Sequence, residues 1–370
     1  MRLSLSGTQK DMYSARFRQL LGEPGPFTSV YFDGSAEADD TAVALALKWR
    51  GLRDNLEQFG GDASITAEIE HAVMHLPPPG GRGGRAVIAS ATGVILNEYL
   101  LRPAARSVVR VSELPYIVPI LEHGVEHTRY LLAVADPRGA FITRHTDFTR
   151  SSEAIEAEGG GGPTLRAVAD RVGELVRNTS CGAVFLVGDA DLRSGLLAAL
   201  PESVRRRVIP LPIDVRRGGY DFEEIQWAVD TTMLQQRRSA MDTAAERFIA
   251  EVGRRSGLAV EGLGAVCAAL RQGVVDTMLI GDIDDATVVA DAGVTAIAPD
   301  ADALLDQGAV PAKTLRADEA LPLLAISVGA SVVRTDERIA PVDGVGAVLR
   351  YLAKHQQPVR PPALAGLPRR

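Results

Sequence analysis

The sequence predicts an α/β and α+β protein of three domains, the middle and C-terminal ones each a mixed sheet with packed helices. Two observations predict it. The 370 residues are enough for two or three separate cores. From about residue 125 onward, apolar runs of strand length alternate with amphipathic stretches of helix length, the pattern of a sheet and its covering helices.

The expected domains span 1–124, 125–237 and 238–357, and the Pro-rich tail 358–370 is expected to be disordered. The first opens with a helix-like stretch, then FTSVYFD (27–33) reads as a strand. DDTAVALALKWRGLRDNLEQFG (39–60) has helical periodicity, with Asp39 or Asp40 placed to cap it and Gly60 to end it. ITAEIEHAVMHL continues as a second helix until three prolines stop it, and RAVIASATGVILNEYL reads as a hairpin around Thr92-Gly93.

In the second, RYLLAVADPRGAFITRH is a hairpin with an Asp-Pro-Arg-Gly turn. TLRAVADRVGELVRN places Leu165, Val168, Val172, Leu175 and Val176 on one helical stripe. A strand (GAVFLVGD), a helix (ADLRSGLLAALP) and a strand (RVIPL) follow. In the third, helices are expected at MDTAAERFIAEVGRR and at GLGAVCAALRQG, which Gly273 closes. Strands are expected at VVDTMLIGD, TVVA and ASVVRT, a helix at ADEALPLLAISVG, and GVGAVLRYL closes the domain.

Composition narrows the function. No apolar run approaches the length of a membrane span, and the N-terminus lacks a signal core, so a soluble cytoplasmic protein is expected, without a membrane partner. Cys181 and Cys267 sit among apolar residues and read as core, and the six histidines show no ligand spacing, so neither a metal nor a cofactor is implied. A net charge of −7 argues against a protein that coats nucleic acid. No Lys or Arg lies between Arg271 and Lys313, while Asp276, Asp282, Asp284, Asp285, Asp291, Asp300, Asp302 and Asp306 do. That stretch suits a protein partner, with Asp282, Asp284, Asp285 and Asp291 as its candidate face; a solvated acidic surface is the plain alternative.

Two glycine clusters stand out. GGRGGR (80–85) reads as a flexible loop, or as a phosphate-contacting one in which Arg82 and Arg85 supply charge while glycine lets the backbone approach. The second, Gly159-Gly160-Gly161-Gly162-Pro163, lies directly before a helix. Neither has the spacing of a nucleotide-binding loop. Arg205, Arg206, Arg207, Arg216 and Arg217 form a further candidate RNA contact, though a helix end and a turn would look the same. RHTDFTR (144–150) holds His145, Asp147 and hydroxyls but no nucleophile elbow, and reads as a solvated loop.

ERFIAEVGRRSGLAVEGLGAVCAALRQGVVDTMLIGD resembles the start of the C-terminal domain of archaeal and eukaryotic class-1 peptide chain release factors, and DGVGAVLRY resembles its closing glycine-rich segment. VFLVGDADLRSGLLAALP is similar to a strand and helix of that family's middle domain. The similarity is greatest to the bacterial branch, which includes mycobacterial release-factor-like proteins and the ribosome hibernation factor Balon. The resemblance implies three domains in release-factor-like order. The N-terminal one faces the decoding centre, the middle one carries the catalytic loop, and the C-terminal one binds a partner. By chain order, residues 159–163 stand where the family has its Gly-Gly-Gln loop, and no glutamine occurs between Thr143 and Gln226. The Asn-Ile-Lys-Ser codon reader is absent as well. No catalytic residue is therefore expected. The resemblance implies a factor bound in the A site of the 70S ribosome, against rRNA, with elongation factor Tu as a companion and no DNA partner. Hibernation or stress protection is the first expectation and Pelota-type rescue the second. A peptidyl-tRNA or RNA hydrolase, and a module that never meets ribosomes, are the rivals from other classes.

Overall fold

The computed structural model describes residues 17, 20–34, 41–75, 83–104, 106–124, 129–136, 139–145, 150–156, 165–179, 181–213, 221–335 and 339–352. The opening helix-like stretch, the caps Asp39 and Asp40, the prolines 77–79, the centre of the Asp-Pro-Arg-Gly turn and the tail lie outside them. The chain forms two compact units. One comprises Met1–Gln9, Pro24–Ser112 and His123–Ser239, the other Lys10–Glu23, Glu113–Glu122 and Ala240–Arg370.

The first unit holds two sheets. Strand β1 (Phe27–Asp33) is followed by helices α1 (Thr41–Gln58) and α2 (Ala63–His75), then β2 (Gly84–Ser90), β3 (Gly93–Leu100) and β4 (Val108–Ser112). These strands pair antiparallel in the order β3-β2-β1-β4. Val30 and Phe32 of β1, with Val87 and Ala89 of β2, alternate onto the face covered by Trp49, Leu52 and Leu56 of α1 and Ile69 and Val73 of α2. Gly60, in the left-handed region at φ 76°, follows the end of α1. The strand β4 and the short helix α3 (Val118–His123) are additions to the expected layout.

The second sheet is mixed. After β5 (Tyr130–Asp136) and β6 (Gly139–His145) comes β7 (Arg150–Glu156), so that β5, β6 and β7 form an antiparallel meander. RHTDFTR, expected as a loop, instead closes β6 and opens β7. Only residues 146–149, Asp147 among them, lie outside the described part. After helix α4 (Leu165–Thr179) the chain alternates through β8 (Ala183–Val187), α5 (Ala190–Ala199), α6 (Glu202–Arg205) and β9 (Val208–Pro210). Strands β8 and β9 run parallel to β5, giving the order β7-β6-β5-β8-β9. Helices α4 and α5 bury one face of this sheet through Val168, Val172, Val176 and Leu196. The other face meets Ile225, Val229 and Met233 at the start of α7 (Phe222–Arg254). The boundary expected at 237/238 therefore falls inside a continuous helix of 33 residues.

In the second unit, β10 (Ala259–Glu261), α8 (Leu263–Arg271), β11 (Val275–Ile280), β12 (Thr287–Ala290) and β13 (Ile297–Ala298) are followed by α9 (Ala301–Asp306), β14 (Lys313–Arg316), α10 (Ala317–Ser327), β15 (Ser331–Arg334) and β16 (Val345–Leu349). The main sheet has the order β10-β16-β11-β15, with β15 parallel to β11 and the other pairs antiparallel. Strands β13-β12-β14 form a small separate sheet. Helix α10 is buried from Ala317 to Ile326. The glycines of DGVGAVLRY have packing causes. Gly344 is left-handed at φ 68°, and a side chain there would strike the backbone of Asp282. At Gly346 a Cβ would lie 2.8 Å from the ring of Phe248, which packs with Leu279 and Val348.

Candidate functional site

The glycine run 159–163 lies outside the described residues, but both arms that carry it are defined. Its first arm is β7, the edge strand of the middle sheet, and its second is α4. Arg171 of α4 ties them together. Its Nε and Nη2 donate to Oε1 and Oε2 of Glu153 on β7, each at 2.7 Å, and its Nη1 donates to Glu174 Oε2 at 2.7 Å. This fork-to-fork pair fixes angle as well as distance. The hydrogen bonds from Arg171 hold the Glu153 carboxyl below its ordinary pKa, and the two carboxylates push the guanidinium up. Beneath the pair, Ile155 and Leu165 pack on the core formed by Val168, Ala169 and Val172. Gly195 of α5 leaves room for Leu165, whose Cδ1 would lie 2.6 Å from a Cβ at that position.

The stem thus presents an eight-residue connection, 157–164, from two anchored ends. Such a length lets the tip stand at most roughly 14 Å from its base. Within the described stem Arg171, Glu153 and Glu174 are committed to one another.

Of the proposed phosphate contacts, Arg82 lies outside the described residues and Arg85 is displaced from expectation. Arg85 is part of β2, only 1% exposed, on the helix-covered face with Val87 and Ala89. It donates to the carbonyls of Val73 (3.2 Å) and Ala72 (3.1 Å) in the last turn of α2 and to Asn97 Oδ1 (3.1 and 3.3 Å). Its guanidinium also lies 5.3 Å from the Tyr99 ring. Asn97 Nδ2 donates to the Ala72 carbonyl as well. Burial draws the pKa of this arginine down. The charge meets the carbonyl end of a helix, where a cation is favoured, and has no access to a phosphate. Arg85 is therefore a core residue and not a surface contact.

The arginines after α5 differ from Arg85, for Arg205 is exposed and Arg207 half-buried. Arg205 donates to the carbonyls of Leu200 (2.9 Å) and Ala198 (3.3 Å), and Arg207 to that of Cys181 (2.9 Å). Arg206, with 74% of its side chain exposed, has Glu202 at 3.9 Å and faces solvent. Arg216 and Arg217 lie outside the described residues.

Several carboxylates of the acidic stretch have local partners. Asp276 is paired with Arg247. Asp282 Oδ1 accepts from the Asp284 amide at 3.4 Å, and Asp285 accepts from Arg316 Nη1 at 2.9 Å. Asp291 closes its own loop by accepting from the amides of Thr295 (2.7 Å) and Ala296 (2.9 Å). Asp300 caps α9 through the Ala303 amide at 2.8 Å. Among the described residues no three His, Cys, Asp or Glu side chains are grouped to hold a metal ion, and no helix is long and apolar enough to cross a membrane.

The model of the bacterial archaeo-eukaryotic release factor family 2 matches residues 162–254, from the glycine run to the end of α7. Over 369 residues the chain is 39% identical to the uncharacterized protein Rv2629 of Mycobacterium tuberculosis (strain H37Rv), covering 93% of this chain and 98% of that one. The chain belongs to the bacterial archaeo-eukaryotic release factor family. Solved structures similar to this member include an archaeal translation termination factor (15% identity, 92% and 98% of the two chains, TM-score 0.24). Archaeoglobus fulgidus Pelota (12%, 94% and 93%, 0.38) and archaeal Pelota in a ribosome-bound assembly with ABCE1 (14%, 94% and 95%, 0.40) are two others.

Proposed function

We propose that this member of the release factor family is a ribosome-binding translation factor that occupies the A site of the 70S ribosome without releasing peptide, in hibernation or stress protection. One observation carries the reading. At the family's catalytic-loop position the chain spells Gly-Gly-Gly-Gly-Pro, with no glutamine from Thr143 to Gln226. Peptide release needs a water held against the ester carbonyl, and an oriented donor is what the missing side chain would supply. Pro163 removes an amide as well. Losing one positioning donor costs about 10²–10³ in rate.

The division 1–124, 125–237 and 238–357 belongs to this proposal, with the first segment toward the decoding centre and the third toward a protein partner. Elongation factor Tu is a companion in the same reading. Arg82, Arg205, Arg206, Arg207, Arg216 and Arg217 remain its candidate rRNA contacts.

Cosedimentation of the full chain with 70S particles tests binding, and peptidyl-tRNA in the P site tests release. Binding at low salt that excludes aminoacyl-tRNA, with release at the buffer level, is the expected result. Release that disappears when residues 159–162 are deleted would make the loop catalytic and the protein a hydrolase. Preference for stalled ribosomes with truncated message over idle ones would replace hibernation with rescue.

A further inference from the structure

The small sheet β13-β12-β14 carries an apolar projection on its helix. On α9, Asp302, Leu305 and Asp306 lie on one face at spacings of three and four, and all three are exposed. Leu305 is 55% exposed, and Val310, just past the helix, is 75% exposed. The turn between them is held in place. Gly308 at φ 79° donates to the Leu305 carbonyl (2.8 Å), Ala309 to that of Leu304 (3.2 Å), and Ala312 to that of Ala290 on β12 (2.9 Å). Leu304 is fully buried beneath it. Two branched aliphatic side chains are thus held in water on an ordered support, where burial of their apolar surface would be favourable.

The stretch of chain that carries them is acidic. From Gln272 to Ala312 there is no cation in the sequence. The two that bracket the stretch are engaged: Lys313 with Glu113 at 2.7 Å, and Arg271 with the Gln307 carbonyl at 3.5 Å. Asp300 is committed to its cap, whereas Asp302 and Asp306 make no ion pair among the described residues. An RNA backbone or an acidic protein would be repelled here at close range, and neither gains from an aliphatic knob. A second copy of a chain with net charge −7 is disfavoured too.

We propose that Leu305 and Val310, rimmed by Asp302 and Asp306, dock into an apolar socket bordered by Lys or Arg on a basic protein of the ribosome. The partner rests on the ribosome-binding reading above, since proteins that hold rRNA are basic for the same reason that the RNA is anionic. The order of the turn lowers the entropy cost of docking.

The test places a photo-crosslinker, p-benzoylphenylalanine, at position 310 of the full chain bound to purified 70S ribosomes. Crosslinks to a Lys/Arg-rich segment of a ribosomal protein are expected. Leu305→Ser with Val310→Ser should lower ribosome affinity about tenfold, and Asp302→Lys with Asp306→Lys should do so with a weaker salt dependence. Neither pair should shift the thermal midpoint, because the altered side chains are exposed. Crosslinks to rRNA or to a second copy, or unchanged affinity in both variants, overturn the docking surface while ribosome binding stands. Loss of cosedimentation by the unaltered chain overturns both.

Discussion

Arg85 spends its guanidinium on two helix-end carbonyls and a buried amide, so its removal strands acceptors that water cannot reach. Arg85→Met is expected to lower unfolding stability by about 2–4 kcal/mol in urea titrations, with the salt dependence of ribosome binding unchanged. A steeper or flatter salt slope would return this side chain to the RNA interface. The residue was misread because an arginine following Gly-Gly looks like a loop. Only its register, opposite Phe32 and Tyr99 in a strand buried throughout, reveals the inward face. A second residue carries a pH signature. Burial raises Asp230 to about 6, opposed by the Gln226 side-chain amide, which donates to it at 2.9 Å. The native state therefore binds more protons than the unfolded chain between about pH 4 and 6, and stability falls as pH rises through that window. Asp230→Asn should raise stability at pH 7.5 by about 1–3 kcal/mol and converge with the parent below pH 4. Parallel pH–stability curves for the two proteins would refute this.

At the scale of elements, the strand β16 and the helix α7 meet through Gly346 and Phe248. A methyl group at 346 must push a buried ring, and Gly346→Ala is expected to cost about 1–3 kcal/mol, read as a lower thermal midpoint. Phe248→Leu in the same background should recover part of the loss. Elements with a single clean period were legible: β1, β2, α1 and α4 lie within two residues of expectation. Others were hidden for physical reasons. Strand β7, RSSEAIE, is an edge whose exposed positions are Ser151, Ser152 and Ala154, so it shows no apolar alternation. The continuity of α7 was masked because its buried positions, Ile225, Val229 and Met233, give way further on to Phe248. The glycine run lies outside the described residues, and the Arg171–Glu153 pair that anchors its arms joins residues on separate elements, so no local pattern announces it.

At the scale of the whole molecule, alternation of strands and helices was enough to foresee two mixed sheets, and the residues that carried the family resemblance lie in them. The grouping into units was not foreseeable, because residues 10–23 and 113–122 join the unit that begins at 240. Among the described residues their ties include Glu113 with Lys313, and Glu122 with Arg334 at 3.8 Å. This arrangement dictates an order of events during synthesis. Residues 113–122 are made well before β14 and β15, the strands that carry Lys313 and Arg334, which emerge some 200 residues later, roughly ten to forty seconds at ordinary elongation rates. The sheets of the first unit can close while the chain is still growing. The second unit completes only once β16 has been made, so the growing chain carries an unfinished surface until that strand emerges.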